Sequence, residues 1–144
     1  MSRRGTSLVE LIFAMGLGLT VLAIGYRAYV AVNRADDYES RREAMVVTVQ
    51  SLMSRVKQDV RASRAVTGSS TQITLTGGRR VTYKTMPGKG VARSTGGGAA
   101  LYQGVSAVFS PTGGGVGIAL SAQSRVHRRL IHVEVSSYVS PRNR

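Results

Sequence analysis

The sequence has no cysteine, and no proline occurs between residues 6 and 65. Without cysteine, the chain can form neither a disulfide framework nor a thiolate metal site. Without proline, nothing in that stretch removes a backbone donor from a helix. The first half of the chain is therefore free to form a long helix, and the remainder must fold without covalent cross-links.

Acidic residues are scarce in the second half of the chain. From Arg61 onward there are twelve lysines and arginines but one acid, Glu134, so this part carries +11 of the net charge of +13. A calcium cage of several carboxylates cannot be built from one acid, and a Ser-His-Asp triad would have no aspartate after Asp59. His127 and His132 lack further ligands and are predicted to be surface or cross-strand residues. We expect no enzymatic activity, no metal and no cofactor.

An apolar run dominates the start of the sequence. Between Leu8 and Gly25 the only ionisable residue is Glu10. About 18 to 20 apolar residues can cross a hydrocarbon core as a helix, which predicts a transmembrane helix over residues 6–26. A cleaved secretory signal is the alternative, with Arg3 and Arg4 as its basic end, but a carboxylate is unusual in the core of such a signal.

The helical pattern continues beyond the apolar run and becomes amphipathic over residues 27–65. Apolar residues recur there at helical spacing, which predicts one buried stripe; its members are Met45, Val49, Leu52, Met53, Val56 and Val60. Two helices separated near residues 33–37 are the alternative to one continuous helix.

Short β-rich runs separated by glycines follow, which predicts a head domain of antiparallel strands over residues 66–144. Two strands around Gly77 and Gly78 form a predicted hairpin, and residues 86–90 form a predicted turn. Further strands are predicted at residues 91–94, 100–102, 105–109 and 116–120. The last run, "RLIHVEVSSYV", alternates apolar and polar residues like a half-buried strand. The predicted fold class is α+β.

The N-terminal motif identifies a family resemblance. Arg3-Arg4-Gly5, followed by "TSLVE", resembles the class III signal of type IV pilins and type II secretion pseudopilins. The resemblance implies that residues 1–5 are a leader, that a prepilin peptidase cuts between Gly5 and Thr6, and that the new amino group of Thr6 is methylated. It also implies that the leader is cytoplasmic and the head lies outside, in the periplasm or beyond the cell.

A second resemblance concerns the segment before the head. "SLMSRVKQDVRASRAV" is similar to J-type minor pseudopilins and W-type minor pilins, with Leu52, Asp59, Val60 and Arg61 carrying the likeness. Thr6, where the family usually has phenylalanine, also favours a minor subunit. The resemblance implies a pilin-like fold, a long helix packed on a small β head, held in the inner membrane and incorporated near the tip of a fibre. Implied partners are other pilins, the peptidase and the inner-membrane assembly platform.

Glu10 is the predicted assembly contact. An unpaired carboxylate within a membrane helix costs roughly 2.5 to 3.5 kcal/mol, so it is expected to have a partner. The resemblance implies the amino terminus of an adjacent subunit. An intramolecular pairing with Thr6, about 6 Å away along the helix, and a side chain that reaches the headgroup layer are the alternatives.

The basic head predicts an anionic partner. The candidate binding residues are Arg79, Arg80, Lys84, Arg125, Arg128 and Arg129. An acidic neighbouring subunit or an anionic envelope polymer would satisfy them, and so would DNA at the tip of a DNA-uptake pilus. A single-pass membrane anchor unrelated to pili remains a third interpretation of the whole chain.

Overall fold

A computed structural model describes residues 7–127 and 129–142 of the chain. Gly5, Thr6 and Arg128 lie outside the described residues. One long helix, α1 (Leu8–Ala62), is followed by eight strands. These are β1 (Ser63–Gly68), β2 (Gln72–Gly77), β3 (Val81–Met86), β4 (Gly90–Thr95), β5 (Gly98–Gln103), β6 (Val105–Thr112), β7 (Gly115–Val126) and β8 (Arg129–Val139). The predicted α+β class is confirmed.

The chain divides into two compact units, residues 1–39 and residues 40–144. In the first unit α1 exposes its large apolar side chains from Leu8 to Ile24 on every side. The helix is long and apolar enough to cross a membrane. Residues 33–37 are helical, so the alternative of two separate helices is not observed. This part of the chain is compatible with a single-pass membrane anchor.

In the second unit α1 buries the predicted apolar stripe. Val49, Leu52, Met53, Val56 and Val60 are at most 4% exposed, and Met45 packs against them while partly buried. The stripe joins one hydrophobic cluster with residues of both sheets, including Tyr83 of β3 and Phe109 of β6. The 3.6-residue period of the sequence thus correctly predicted the helix face that builds the core.

The helix ends at Ala62, three residues before the boundary predicted from the sequence. Ser63 begins β1 and pairs with Gly77 of β2, while its side-chain Oγ donates to the Val60 carbonyl oxygen at 2.7 Å. The backbone N–H of Arg142, after the last strand, donates to the Arg61 carbonyl oxygen at 3.3 Å. These bonds satisfy carbonyl groups that a helix end leaves open, so tertiary contacts fix where α1 stops.

The strands form two antiparallel sheets. The first has the order β1-β2-β3-β4-β5 and the second the order β6-β7-β8. The predicted β2-β3 hairpin and the 86–90 turn are both present. Strand β7 is longer than predicted, because residues 121–126 pair with β8. Strand β1 was not predicted, since residues 63–66 resemble a continuation of the helix.

Two hydrogen bonds tie the sheets together. The Phe109 N–H donates to the Ser70 carbonyl oxygen at 2.9 Å, and the Thr85 hydroxyl donates to the Ala107 carbonyl oxygen at 2.7 Å. Strand β6 therefore lies beside the first sheet, and both sheets contribute to one core. This arrangement fixes the position of β3 and β4 relative to the buried face of α1.

Candidate functional site

Glu10 caps the N-terminus of its own helix. The Ser7 backbone N–H donates to Glu10 Oε2 at 3.2 Å, and the Glu10 backbone N–H donates to Ser7 Oγ at 3.3 Å. This reciprocal pair is a capping box, which satisfies two donors at the start of the helix. The intramolecular partner seen for Glu10 is thus Ser7, and the Ser-x-x-Glu spacing in the sequence could have predicted it.

The capped carboxylate remains on the surface. Both Ser7 and Glu10 are exposed, and a negative charge in the first turn interacts favourably with the helix dipole. The cap and an external charge partner are therefore compatible, since the Glu10 side chain stays accessible while it caps. Gly5 and Thr6, the predicted cleavage and methylation residues, lie outside the described residues.

A buried polar network connects α1 to the first sheet. The Tyr83 hydroxyl on β3 donates to Asp59 Oδ2 at 2.6 Å, and Arg93 Nε on β4 donates to the same oxygen at 2.9 Å. Tyr83 is fully buried, and the side chains of Asp59 and Arg93 are 16% and 17% exposed. Tyr83 and Arg93 are cross-strand partners, so the sheet register brings both groups to one carboxylate.

The network shifts the ionisation of Tyr83. Burial raises the pKa of the Tyr83 phenol well above its ordinary value, and the hydrogen bond and negative charge of Asp59 raise this pKa further. Arg93 opposes part of that increase. The hydrogen bond to Asp59 also raises the pKa of Arg93, so the guanidinium stays charged. The phenol, the carboxylate and the guanidinium therefore contact one another, and the phenol stays neutral.

The raised pKa of Tyr83 predicts a loss of stability in alkaline solution. An unfolded tyrosine ionises near pH ~10, whereas the folded protein holds Tyr83 neutral above that pH. The contribution of Tyr83 is present in full below about pH 10 and falls as the pH rises toward the folded pKa, because the unfolded state then binds fewer protons. We expect the free energy of unfolding of Tyr83→Phe, measured by urea denaturation, to fall less steeply above that pH.

Equal alkaline slopes for the two proteins would contradict this assignment. Tyr102→Phe is the matched control, because Tyr102 is only partly buried and it has no hydroxyl bond among those seen in the described residues. The control is expected to retain the slope of the unaltered chain.

A basic groove lies beside the network. It has a volume of about 570 Å³ and is bounded by the C-terminal part of α1 and by one end of the first sheet. The lining residues are Arg55, Gln58, Asp59, Ala62, Ser63, Leu75, Gly78, Arg79, Val81, Arg93 and Thr95. Arg79 and Thr95 also line an adjoining recess with Arg80, Gly96 and Gly97. The β2-β3 and β4-β5 turns therefore lie at the same end of the first sheet and form one basic surface.

The structure separates the other predicted cationic residues from this groove. Lys84 follows Tyr83 on β3, so its side chain extends from the opposite face of the sheet. Arg125 and Arg129 are on β7 and β8 of the second sheet, close to the turn that joins them. Of the described candidates, only Arg79 lines the groove, and Arg80 lines the adjoining recess. Arg93 was among the basic head residues noted in the sequence, but Arg55 was not predicted, since only the packing of α1 on the first sheet brings it there.

The two histidines occupy the second sheet. His132 is exposed on β8, where its Nδ1 is 3.2 Å from Nε2 of Gln123 on β7 and its Nε2 is 3.5 Å from Glu134 Oε2. His127 is exposed in the turn before β8 and has a positive φ of 45°. The prediction of surface and cross-strand positions is confirmed. No cluster of three or more metal-binding side chains occurs in residues 7–127 and 129–142.

Comparison with protein-family models, curated proteins and solved structures found no match to this chain. The architecture itself is pilin-like, because one long N-terminal helix precedes antiparallel sheets. The helix carries an exposed apolar segment at its start and a buried stripe near its end.

Proposed function

We propose that this protein is a minor pilin or pseudopilin, a structural subunit held in the inner membrane by the first part of α1. Prepilin peptidase cuts between Gly5 and Thr6 and methylates the new amino group. The subunit then assembles with other pilins, through the assembly platform, into a type IV pilus or a type II secretion pseudopilus. Its β head lies in the periplasm or outside the cell, near the tip of the fibre.

One observation carries the proposal: an accessible carboxylate stands in the first turn of a helix whose first part, from Leu8 to Ile24, exposes apolar side chains on all sides. A helix of that kind needs lipid or other apolar helices around it. Before assembly the bilayer covers it, and in a fibre the equivalent helices of neighbouring subunits cover it.

Glu10 then requires a cationic partner within an apolar bundle. The cleaved amino terminus of a neighbouring subunit supplies one, because cleavage after Gly5 converts Thr6 into a free terminal amine. Opposite charges attract strongly where water is excluded, so this pair would set the axial position of one subunit against the next. The basic leader must be removed first, since it occupies the place of that amine.

Processing provides the direct test. In cells with active prepilin peptidase, intact-mass spectrometry of the purified chain is expected to find residues 6–144 with one added methyl group. Gly5→Val places a branched side chain at the cleavage point and is expected to leave the chain starting at Met1. Cells without the peptidase provide the control for the full-length mass.

A chain that starts at Met1 despite an active peptidase would contradict the proposed role. Cleavage after residues 23–25 would identify a secretory signal instead. With either result the first part of α1 would be a membrane anchor or an export signal, and a role as a fibre subunit would be excluded.

A further inference from the structure

The basic groove holds more positive charge than its own residues neutralise. Arg93 is paired with Asp59, but Arg55 and Arg79 line the same groove without an ion pair to any described residue. Arg80, in the adjoining recess, is likewise unpaired in the described part of the chain. All three side chains are exposed, so an incoming anion can reach them without unfolding the head.

We propose that this groove binds an acidic segment of another protein, in which two carboxylates lie close together. The unpaired arginines receive the carboxylates. This binding is a property of the head alone and does not depend on processing at Gly5. Peptide binding in the groove and assembly through helix bundling are therefore separate properties, and each can be disproved without the other.

The chemistry of the cations suits oxyanions, carboxylates among them. The planar guanidinium group matches a carboxylate or a phosphate with two parallel hydrogen bonds, which a lysine ammonium cannot do. Arg55 extends from α1, whereas Arg79 extends from the β2-β3 turn, so the two approach the groove from different elements. A ligand with two separated carboxylates can contact both.

The size of the groove favours a peptide over a small inorganic anion. Its volume is about 570 Å³, and Leu75 and Val81 are among its lining residues. These two side chains are only 1% and 7% exposed, so they offer a ligand little apolar surface. The second recess, bounded by Arg80 and two glycines, extends the site along the sheet edge and gives room for the peptide backbone.

Nucleic acid fits this surface less well than an acidic peptide. The other described candidates, Lys84 on the opposite sheet face and Arg125 and Arg129 on the second sheet, do not continue the groove. Phosphate contacts along a duplex require a series of cations that follows its backbone.

Peptide binding to the full chain in nonionic detergent micelles tests the proposal. The probe is a fluorescein-labelled, end-capped peptide of sequence Gly-Glu-Leu-Glu-Gly, and fluorescence anisotropy reports its binding. The control peptide has both glutamates replaced by glutamine. We expect the acidic peptide to bind at near-physiological salt and the glutamine peptide to bind at least about tenfold more weakly, because charge-assisted bonds are lost.

Two double variants of equal charge locate the site. Arg55→Gln with Arg79→Gln is expected to weaken binding about tenfold or more. Arg125→Gln with Arg129→Gln removes the same charge from the second sheet and is expected to change the affinity less than about twofold, since distant surface charges are screened. Circular dichroism of both variants checks that the fold is retained.

Several results would overturn the proposal. Equal weakening by the two double variants would indicate general attraction to a basic protein, and equal binding of the two peptides would exclude carboxylate recognition. Complete displacement of the peptide by millimolar inorganic phosphate would assign the groove to small anions. Tighter binding of a duplex oligonucleotide that also requires Arg55 and Arg79 would assign it to nucleic acid.

Discussion

Asp59→Ala is expected to destabilise the β head by about 3 kcal/mol, because it removes the acceptor shared by two groups that have little access to water. The buried Tyr83 hydroxyl would lose its 2.6 Å bond to Asp59, and Arg93 would keep a largely buried charge without its counter-ion. Urea denaturation of the full chain in detergent, followed by near-ultraviolet circular dichroism of the head tyrosines, measures the change.

Two further variants separate the contributions. Tyr83→Phe deletes the bond that the hydroxyl donates to Asp59 and the bond that it accepts from Arg93 Nε at 3.1 Å. The ion pair remains, so we expect a loss of about 1 kcal/mol. Arg93→Met in the Asp59→Ala background removes the unpaired cation and is expected to recover part of the loss. If Asp59→Ala costs no more than Tyr83→Phe, the ion pair contributes little, and the network serves only to satisfy the phenol.

The members of this network were visible in the sequence, but their contact was not. Asp59 belongs to a helical segment, and Tyr83 and Arg93 belong to two different predicted strands. Nothing local links them. The β3-β4 register makes Tyr83 and Arg93 cross-strand partners, and the burial of Val56 and Val60 turns Asp59 toward the same face of the sheet. Long-range pairing therefore creates the network.

Local patterns predicted the elements that local physics dominates. The apolar stripe of α1 and the β2-β3 hairpin follow from residue spacing and from two adjacent glycines. Strand β1 was missed because residues 63–66 carry no alternation, and their pairing with β2 decides their conformation. The end of β7 was missed because Ser124 interrupts the apolar face that Leu120, Ala122 and Val126 bury. Strand β8 supplies the partners of residues 121–126.

Charge alone could not locate the groove. The sequence shows an excess of arginine and lysine, and the anion-binding residues predicted from it therefore included Arg79 and Arg80 together with Arg125 and Arg129. The fold assigns these pairs to different sheets and brings Arg55 of α1 to the same groove as Arg79. Which surface charges cluster depends on which turns lie at the same end of a sheet. The strand order decides that, and the sequence does not show it.

Glu10→Gln is expected to reduce incorporation of the subunit into fibres at least tenfold while leaving it in the membrane. Glutamine can replace glutamate in a capping box, so the bond from the Ser7 N–H is retained and only the charge is lost. A charge pair in an apolar bundle exceeds the 1.4 kcal/mol that corresponds to a factor of ten. Immunoblots of sheared fibres and of the membrane fraction measure the two populations.

Ser7→Ala distinguishes the two roles of Glu10, because it removes the hydroxyl that accepts from the Glu10 N–H but leaves the carboxylate charged. The loss of such a cap costs about 1 kcal/mol of helix stability, and the adjoining helix is long, so we expect normal incorporation. If Ser7→Ala abolished incorporation and Glu10→Gln did not, the carboxylate would serve the cap alone. If both variants assembled normally, the proposed charge pair between Glu10 and a neighbouring amino terminus would be wrong. Loss with Glu10→Gln alone would mean that assembly depends on the charge that the capping box leaves exposed.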